Sequence, residues 1–547
     1  MALVTTLLSV AHSVDVRTTA GAVRGRVIDG VATFRGIPYA APPMDFLRWR
    51  NPLPAAPWNG TLNASNDAPG CPQHCALPAI ACPPVQSEDC LALNVFAPET
   101  LAKESRAVLF WIHGGDFYQG YGGGVLYDGS SLVREHGIVV IAINYRLGAL
   151  GFLYSGDDPD KHFQGNFGLA DQRLALEWAR DNVARFGGDP KRITIAGQSA
   201  GGMSVASHLS MAKAEGLFAS AIIESDPFGI PFRTSKTYPA FSRTVARYAG
   251  CAHRLSTRPY EACMRSIDSK EVVAAQVRAQ KDLFVEVGHF LNLFVPYSPV
   301  VGVDEFKEQP LAALVHGRLH DKPILMGSVS NESLLFVYEA FPGSLSGIEE
   351  DGVLDLVFGV ENTSKILRQY PRPRATTGEA TAVAASSGRD LKVHAGNITN
   401  DALFYCPIRH GAVELSKQRQ RGVRESPTYV YHFEHVISYG AKFWQPLFPE
   451  CVDAVCHSEE LPFVFNPDTS AINASFTADE SRLAKTMQEA WGGFARTSAP
   501  GGGWPAFEMG TEASMLFQTP SSVVEHAAYA RRCELWDQMG YNWVLKP

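Results

Sequence analysis

Short β-branched runs alternate with helical patterns through the first half of the chain, and this alternation restricts the fold more than any other feature. Residues 107–113 and 138–144 read as buried strands. Residues 169–186 read as an amphipathic helix closed by Gly187-Gly188-Asp189-Pro190, followed by a strand at 192–196 and a helix at 200–211. Strands separated by helical crossovers pair in parallel, and the crossovers cover both faces of the sheet. Further strands are expected at 218–224, 323–327 and 428–433, and a helix at 478–496. Between 226 and 321, and again between 347 and 427, helix-like patterns run without clear strands. They are expected to be insertions over the C-terminal edge of the sheet, where open parallel sheets bind ligands; stabilising cover is the plainer reading. The expected fold class is α/β, a large and mostly parallel central sheet with helices on both faces. There is no repeat, low-complexity tract or linker, so residues 14–547 read as one domain.

At one strand-to-helix corner stands Gly197-Gln198-Ser199-Ala200-Gly201, which fits G-x-S-x-G. A sharp elbow there lifts the serine hydroxyl above the sheet, and the helix N-terminus favours developing negative charge. An ordinary glycine-rich turn would carry the same letters without that context. A serine needs a base to take its proton and donors to hold the oxyanion. Backbone amides at Gly114 and Gly115, directly after the strand at 107–113, together with that of Ala200, are the expected donors. His113 beside them is expected to support the loop rather than to titrate in catalysis.

Chain order in this class of site runs serine, acid, histidine. After the strand at 323–327 comes Glu332, and on the loop beyond the strand at 428–433 comes His457. His432 and His435 compete with His457 for the role of base and read more readily as strand-end residues.

With 48 Lys and Arg against 56 Asp and Glu, the formal net charge is −8. The surplus cation needed to neutralise a phosphate backbone is missing, which argues against nucleic acid as a partner. Apolar runs in the body of the chain fall well short of the roughly 20 residues that span a bilayer. Residues 1–13 read as a signal peptide, with small residues Ala11-His12-Ser13 after an apolar stretch but no basic residue before it. A frayed strand or a truncated end would look the same.

The ten cysteines favour export. They are mostly close neighbours, and the chain has no Cys-x-x-Cys pair, so five disulfides are preferred to a zinc site. Sequons at Asn59, Asn63, Asn331, Asn362, Asn397 and Asn473 fit a secreted, extracellular glycoprotein.

These residues carry a resemblance. Asn166-Phe167-Gly168-Leu169-Ala170-Asp171-Gln172, Phe186-Gly187-Gly188-Asp189-Pro190 and the elbow are similar to the nucleophile region of the type B carboxylesterase and cholinesterase family of α/β-hydrolases. Glu88-Asp89-Cys90-Leu91-Ala92-Leu93-Asn94 resembles its second signature. Gly36-Ile37-Pro38-Tyr39-Ala40 with Leu47-Arg48-Trp49 resembles its N-terminal block, and His457-Ser458-Glu459-Glu460-Leu461-Pro462-Phe463 its histidine block.

The resemblance implies an α/β-hydrolase fold with Ser199 as nucleophile, Glu332 as acid and His457 as base. It implies Gly114, Gly115 and Ala200 as oxyanion donors, Ser225 as a partner behind the triad, and an Arg48–Glu88 ion pair. It further implies disulfides Cys71–Cys90, Cys251–Cys263 and Cys406–Cys533, leaving Cys75 with Cys82 and Cys451 with Cys456 as neighbours. Asn331, next to the acid, is expected to be too enclosed for a glycan, which leaves Asn59, Asn63, Asn362, Asn397 and Asn473 as candidates.

Departures from the family pattern narrow the expectation. The loop from Cys71 to Cys90 contains no tryptophan for a quaternary ammonium, and Gln198 is neutral where cholinesterases carry an acid. That loop is also short and Pro-rich, unlike a long lipase lid. Asp116 replaces the small residue usual beside the oxyanion glycines. The expected function is a serine carboxylesterase acting on small or medium neutral esters, without cofactor or metal, its partner a small-molecule ester. The alternatives are a transacylase or lipase using the same triad, or a non-catalytic adhesion protein on this fold.

Overall fold

The computed structural model describes residues 12–101, 105–252, 259–282, 291, 294–373, 390–528 and 530–541. Most of the segment read as a signal peptide therefore lies outside the described residues. Thirteen strands form one sheet among them. In chain order they are β1 (His12–Arg17), β2 (Ala22–Ile28), β3 (Val31–Pro38), β4 (Thr61–Asn63), β5 (Ala92–Pro98), β6 (Arg106–Ile112) and β7 (Val139–Ile143). Then come β8 (Gly188–Gln198), β9 (Ser220–Glu224), β10 (Ile324–Val329), β11 (Thr428–Phe433), β12 (Ala513–Phe517) and β13 (Val523–His526).

Their spatial order is β1-β2-β3-β5-β7-β6-β8-β9-β10-β11-β12-β13, with β4 beside β2. The block from β7 to β12 is parallel throughout. Strands β1, β2, β3 and β5 add to it antiparallel, as does β13 on the far edge. The strand–helix rhythm does not announce these antiparallel margins, because they are linked without helical crossovers. A two-residue turn at Asp29 (φ 50°) and Gly30 (φ 75°) joins β2 to β3, the Asp-Gly signal of a tight hairpin.

Strand β6 shows how the sheet divides the core. Val108, Phe110 and Ile112 face one apolar layer, while Ala107, Leu109 and Trp111 face the other. On the first side lie helices Phe167–Asn182 and Ala200–Ser210, through Ala175, Leu176, Val205 and Leu209. On the second lie helices Ser130–His136 and Ala478–Thr497, through Leu132, Leu483, Met487 and Trp491. Burying each such aliphatic side chain contributes roughly 1.5–3 kcal/mol. Together these layers make the α/β-hydrolase arrangement, a large mixed sheet with helices on both faces.

The stretches expected as insertions are helical. Tyr238–Tyr248, Glu261–Ser266, Ser269–Asp282 and Pro310–Val315 follow β9, and Gly347–Phe358, Val360–Gln369, Lys392–Asn400 and Cys406–Gln420 follow β10. Five disulfides form: Cys71–Cys90, Cys75–Cys82, Cys251–Cys263, Cys406–Cys533 and Cys451–Cys456. Among the described residues no helix is long and apolar enough to cross a membrane, and no group of His, Cys, Asp and Glu could hold a metal ion.

Candidate active site

The corner between β8 and helix Ala200–Ser210 is a true elbow. Ser199 sits at φ 59° and ψ −125°, a conformation that costs a side-chain-bearing residue about 1–3 kcal/mol and persists only where neighbours enforce it. Its amide donates to the Glu224 carbonyl on β9 at 2.9 Å, and its carbonyl accepts from the Met203 amide at 2.8 Å. A Cβ at position 201 would lie 2.1 Å from the Ile112 carbonyl oxygen, so only glycine lets helix and β6 meet here.

The strand β6 delivers the second part. After Ile112 the chain turns through His113, Gly114 and Gly115, with Gly115 at φ 104°, and Gly114 abuts both Gln198 and Ser199. Ala200, first residue of its helix, is 1% exposed, and its amide belongs to the N-terminal turn whose donors have no intrahelical partner. His113 plays the supporting part expected of it. It is buried, stacks on Tyr145 at 4.5 Å, and its Nδ1 contacts the Gly114 carbonyl at 2.8 Å. Burial pushes its imidazole down to about 4, so the ring stays neutral.

His457 and Glu332 meet at the same edge. The Nδ1 of His457 donates to the Glu332 carboxylate in a short hydrogen bond. Glu332 is fully buried, its Oε1 accepts from the Val329 amide at 2.8 Å, and its own amide donates to Asn400 at 2.8 Å. Phe336 and Phe404 stand edge-on to the imidazole at 5.2 and 5.6 Å. At the other ring nitrogen, Nε2, the contact is the side-chain amide of Gln198 at 3.1 Å. Burial lowers the His457 pKa, but Glu332, Glu460 and Asp116 outweigh it and hold the ring above its ordinary value. His432 and His435 face other carboxylates, Glu434 and Glu480, each at 3.2 Å.

Behind His457 and Glu332 lies a set of buried carboxyls, Glu224, Glu459 and Glu460. Ser225 donates to Glu460 at 3.2 Å, and Glu224 accepts from the Trp491 indole at 2.7 Å. Burial pushes Glu460 up to about 8, with Glu332 acting the same way, and burial also raises Glu224 well above its ordinary value, with Glu460 adding to it. Glu-Ser-Asp at the end of a strand is the signal that could have marked this cluster. The Arg48–Glu88 pair forms, with Arg48 Nε 2.7 Å from Glu88, and the same guanidinium donates to the Ile267 carbonyl at 2.6 Å. It ties the first cysteine loop to the first insertion.

Ser199 opens onto two lobes of one cleft, which share Ser199, Asp116 and Phe336. The wider lobe is lined by Tyr127, Phe443, Trp444 and Phe448, with Glu339. The narrower is walled by Met203, Ile230, Val295, Leu403 and Phe404. Asp116 is half-buried at φ 54°; burial pushes its carboxyl up to about 6, against the pull of His457. Of the sequons, Asn59, Asn63, Asn397 and Asn473 are exposed. Asn362 is half-buried with its Nδ2 donating to the Phe358 carbonyl, and Asn331 is half-buried with Oδ1 accepting from Val455.

A sequence model of the carboxylesterase family matches residues 12–536. The chain is 34% identical to the crystal protein of Dictyostelium discoideum, over 96% of this chain and 91% of that one. It is 32% identical to the para-nitrobenzyl esterase of Bacillus subtilis, over 96% and 99%. A solved PNB esterase structure superposes with a TM-score of 0.78 at 29% identity, covering 97% of this chain and 99% of the other.

Proposed function

The chain belongs to the carboxylesterase family, and from that premise we propose that it is a serine carboxylic ester hydrolase working through an acyl-enzyme. The observation that carries the reading is the convergence of three parts: Ser199 on a strained elbow, His457 bonded to Glu332, and Gly114 backing the serine. His457 takes the Ser199 proton as the hydroxyl oxygen attacks the ester carbonyl. Glu332 fixes the ring and stabilises the imidazolium, and the amides of Gly114, Gly115 and Ala200 hold the oxyanion. Collapse of the tetrahedral intermediate returns the proton to the departing alcohol. Water then attacks the acyl-enzyme with His457 again as base.

The cleft supports small or medium neutral esters. The narrow lobe leaves little room for a long chain beside Met203, Leu403 and Phe404, and Asp116 with Glu339 disfavours an anionic group. Residues 14–547 act as one domain, and the five disulfides support an oxidising destination. The test is covalent labelling with a fluorophosphonate followed by peptide mass spectrometry. A single adduct on Ser199, abolished by denaturation, is expected; labelling elsewhere, or none on folded protein, would refute the nucleophile assignment.

A further inference from the structure

Gln198 is 2% exposed, boxed between Gly114 and His457. Its side-chain Oε1 lies 3.0 Å from where a Gly114 Cβ would stand, and its Nε2 lies 3.1 Å from His457 Nε2. With Nδ1–H of His457 donating a hydrogen bond to the Glu332 carboxylate, Nε2 of the neutral ring carries a lone pair, which the N–H of the Gln198 amide can donate to. An imidazolium would present a second N–H to that amide, donor against donor.

We propose that Gln198 is a positioning residue that holds His457 as the neutral, Nδ1-protonated base and thereby extends activity to lower pH. This deepens the triad reading and rests on it. The ionisable groups around the ring all favour the imidazolium: Glu332 from the loop after β10, Glu460 from the histidine's own loop and Asp116 from the loop after β6. Gln198, from the end of β8, is the opposing polar contact on the nitrogen that must accept the serine proton. An isosteric carboxylate at 198 would place a further negative charge beside Nε2 and accept from the imidazolium, reversing the preference. When Ser199 delivers its proton, the Gln198 amide must turn its oxygen to Nε2 or yield the position.

The experiment is the pH profile of kcat/KM with p-nitrophenyl butyrate for wild type, Gln198→Glu, Gln198→Met and Ser199→Ala. The midpoint of the acidic limb is expected to rise by about one pH unit in Gln198→Glu and by less in Gln198→Met, which only removes the donor. The ratio of kcat/KM at pH 8 to that at pH 6 rises correspondingly, by up to about tenfold in Gln198→Glu. A limb that stays in place, or moves down, in whichever of these variants is folded overturns the role of Gln198 while Ser199→Ala is inert. An active Ser199→Ala protein would instead overturn the triad itself. The methionine variant introduces no charge into the buried cluster and keeps the test open if the glutamate variant does not fold.

Discussion

Gly114 and Ser199 touch: a methyl group on Gly114 would stand 3.0 Å from the Ser199 Cβ and 2.7 Å from the Gln198 carbonyl oxygen. The second neighbour is backbone at the end of a strand, so it cannot swing away as a side chain would. Gly114→Ala therefore displaces either the elbow or the amides proposed to hold the oxyanion. Losing one such donor costs about 10²–10³ in kcat. Steady-state kinetics should show that loss in kcat with a smaller change in KM, because the apolar walls of the cleft are untouched. A variant with kcat within about threefold of wild type would place the oxyanion donors elsewhere.

Glu224 should make stability fall as pH rises. Burial holds its carboxyl well above the ordinary range, and neighbouring Glu460 pushes the same way. In the unfolded chain it titrates near about 4.3. Above that value the folded state keeps a proton that the unfolded state releases, so rising pH favours unfolding until the folded group ionises. The Glu224→Gln side chain cannot ionise and still offers an oxygen to the Trp491 indole. The melting-temperature difference, Glu224→Gln variant minus wild type, is expected to grow from pH 5 to pH 8. A difference independent of pH would show that Glu224 does not carry the buried proton.

The disulfides should differ in weight according to the loops they close. Cys406–Cys533 spans 127 residues and Cys451–Cys456 only 5. Loop-closure entropy assigns the first about 5 kcal/mol and the second about 2. Chemical denaturation of the double alanine variants should reproduce that order. Equal losses would mean that local packing around the buried sulfurs, rather than chain entropy, sets their contribution.

Much of this is legible in the sequence because the signals are local. The buried strands around Ile112 and Ile143 are uninterrupted apolar runs, and the elbow sits where a strand pattern becomes a helix pattern. Glu332 and His457 are 125 residues apart, and only chain order and family resemblance join them. The margins are harder to read. In β2 side chains alternate between buried and exposed, a weaker pattern than that of a fully buried strand, and β13 is only four residues long. The contact of Gln198 with His457 and the enclosure of Glu224, Glu459 and Glu460 are illegible for another reason. Each carboxyl looks like an ordinary surface residue until the fold encloses it, and its protonation depends on neighbours brought from distant strands.

Hydrolysis of p-nitrophenyl acetate, butyrate and palmitate by wild type and Ser199→Ala, both purified from a secreting host, shows whether Ser199 is the nucleophile. Turnover of acetate and butyrate well above that of palmitate is expected, and its loss in a Ser199→Ala protein that melts like wild type. Full activity in that variant, or a folded wild type inert on all three esters, would contradict the assignment of Ser199 as the nucleophile of a carboxylesterase.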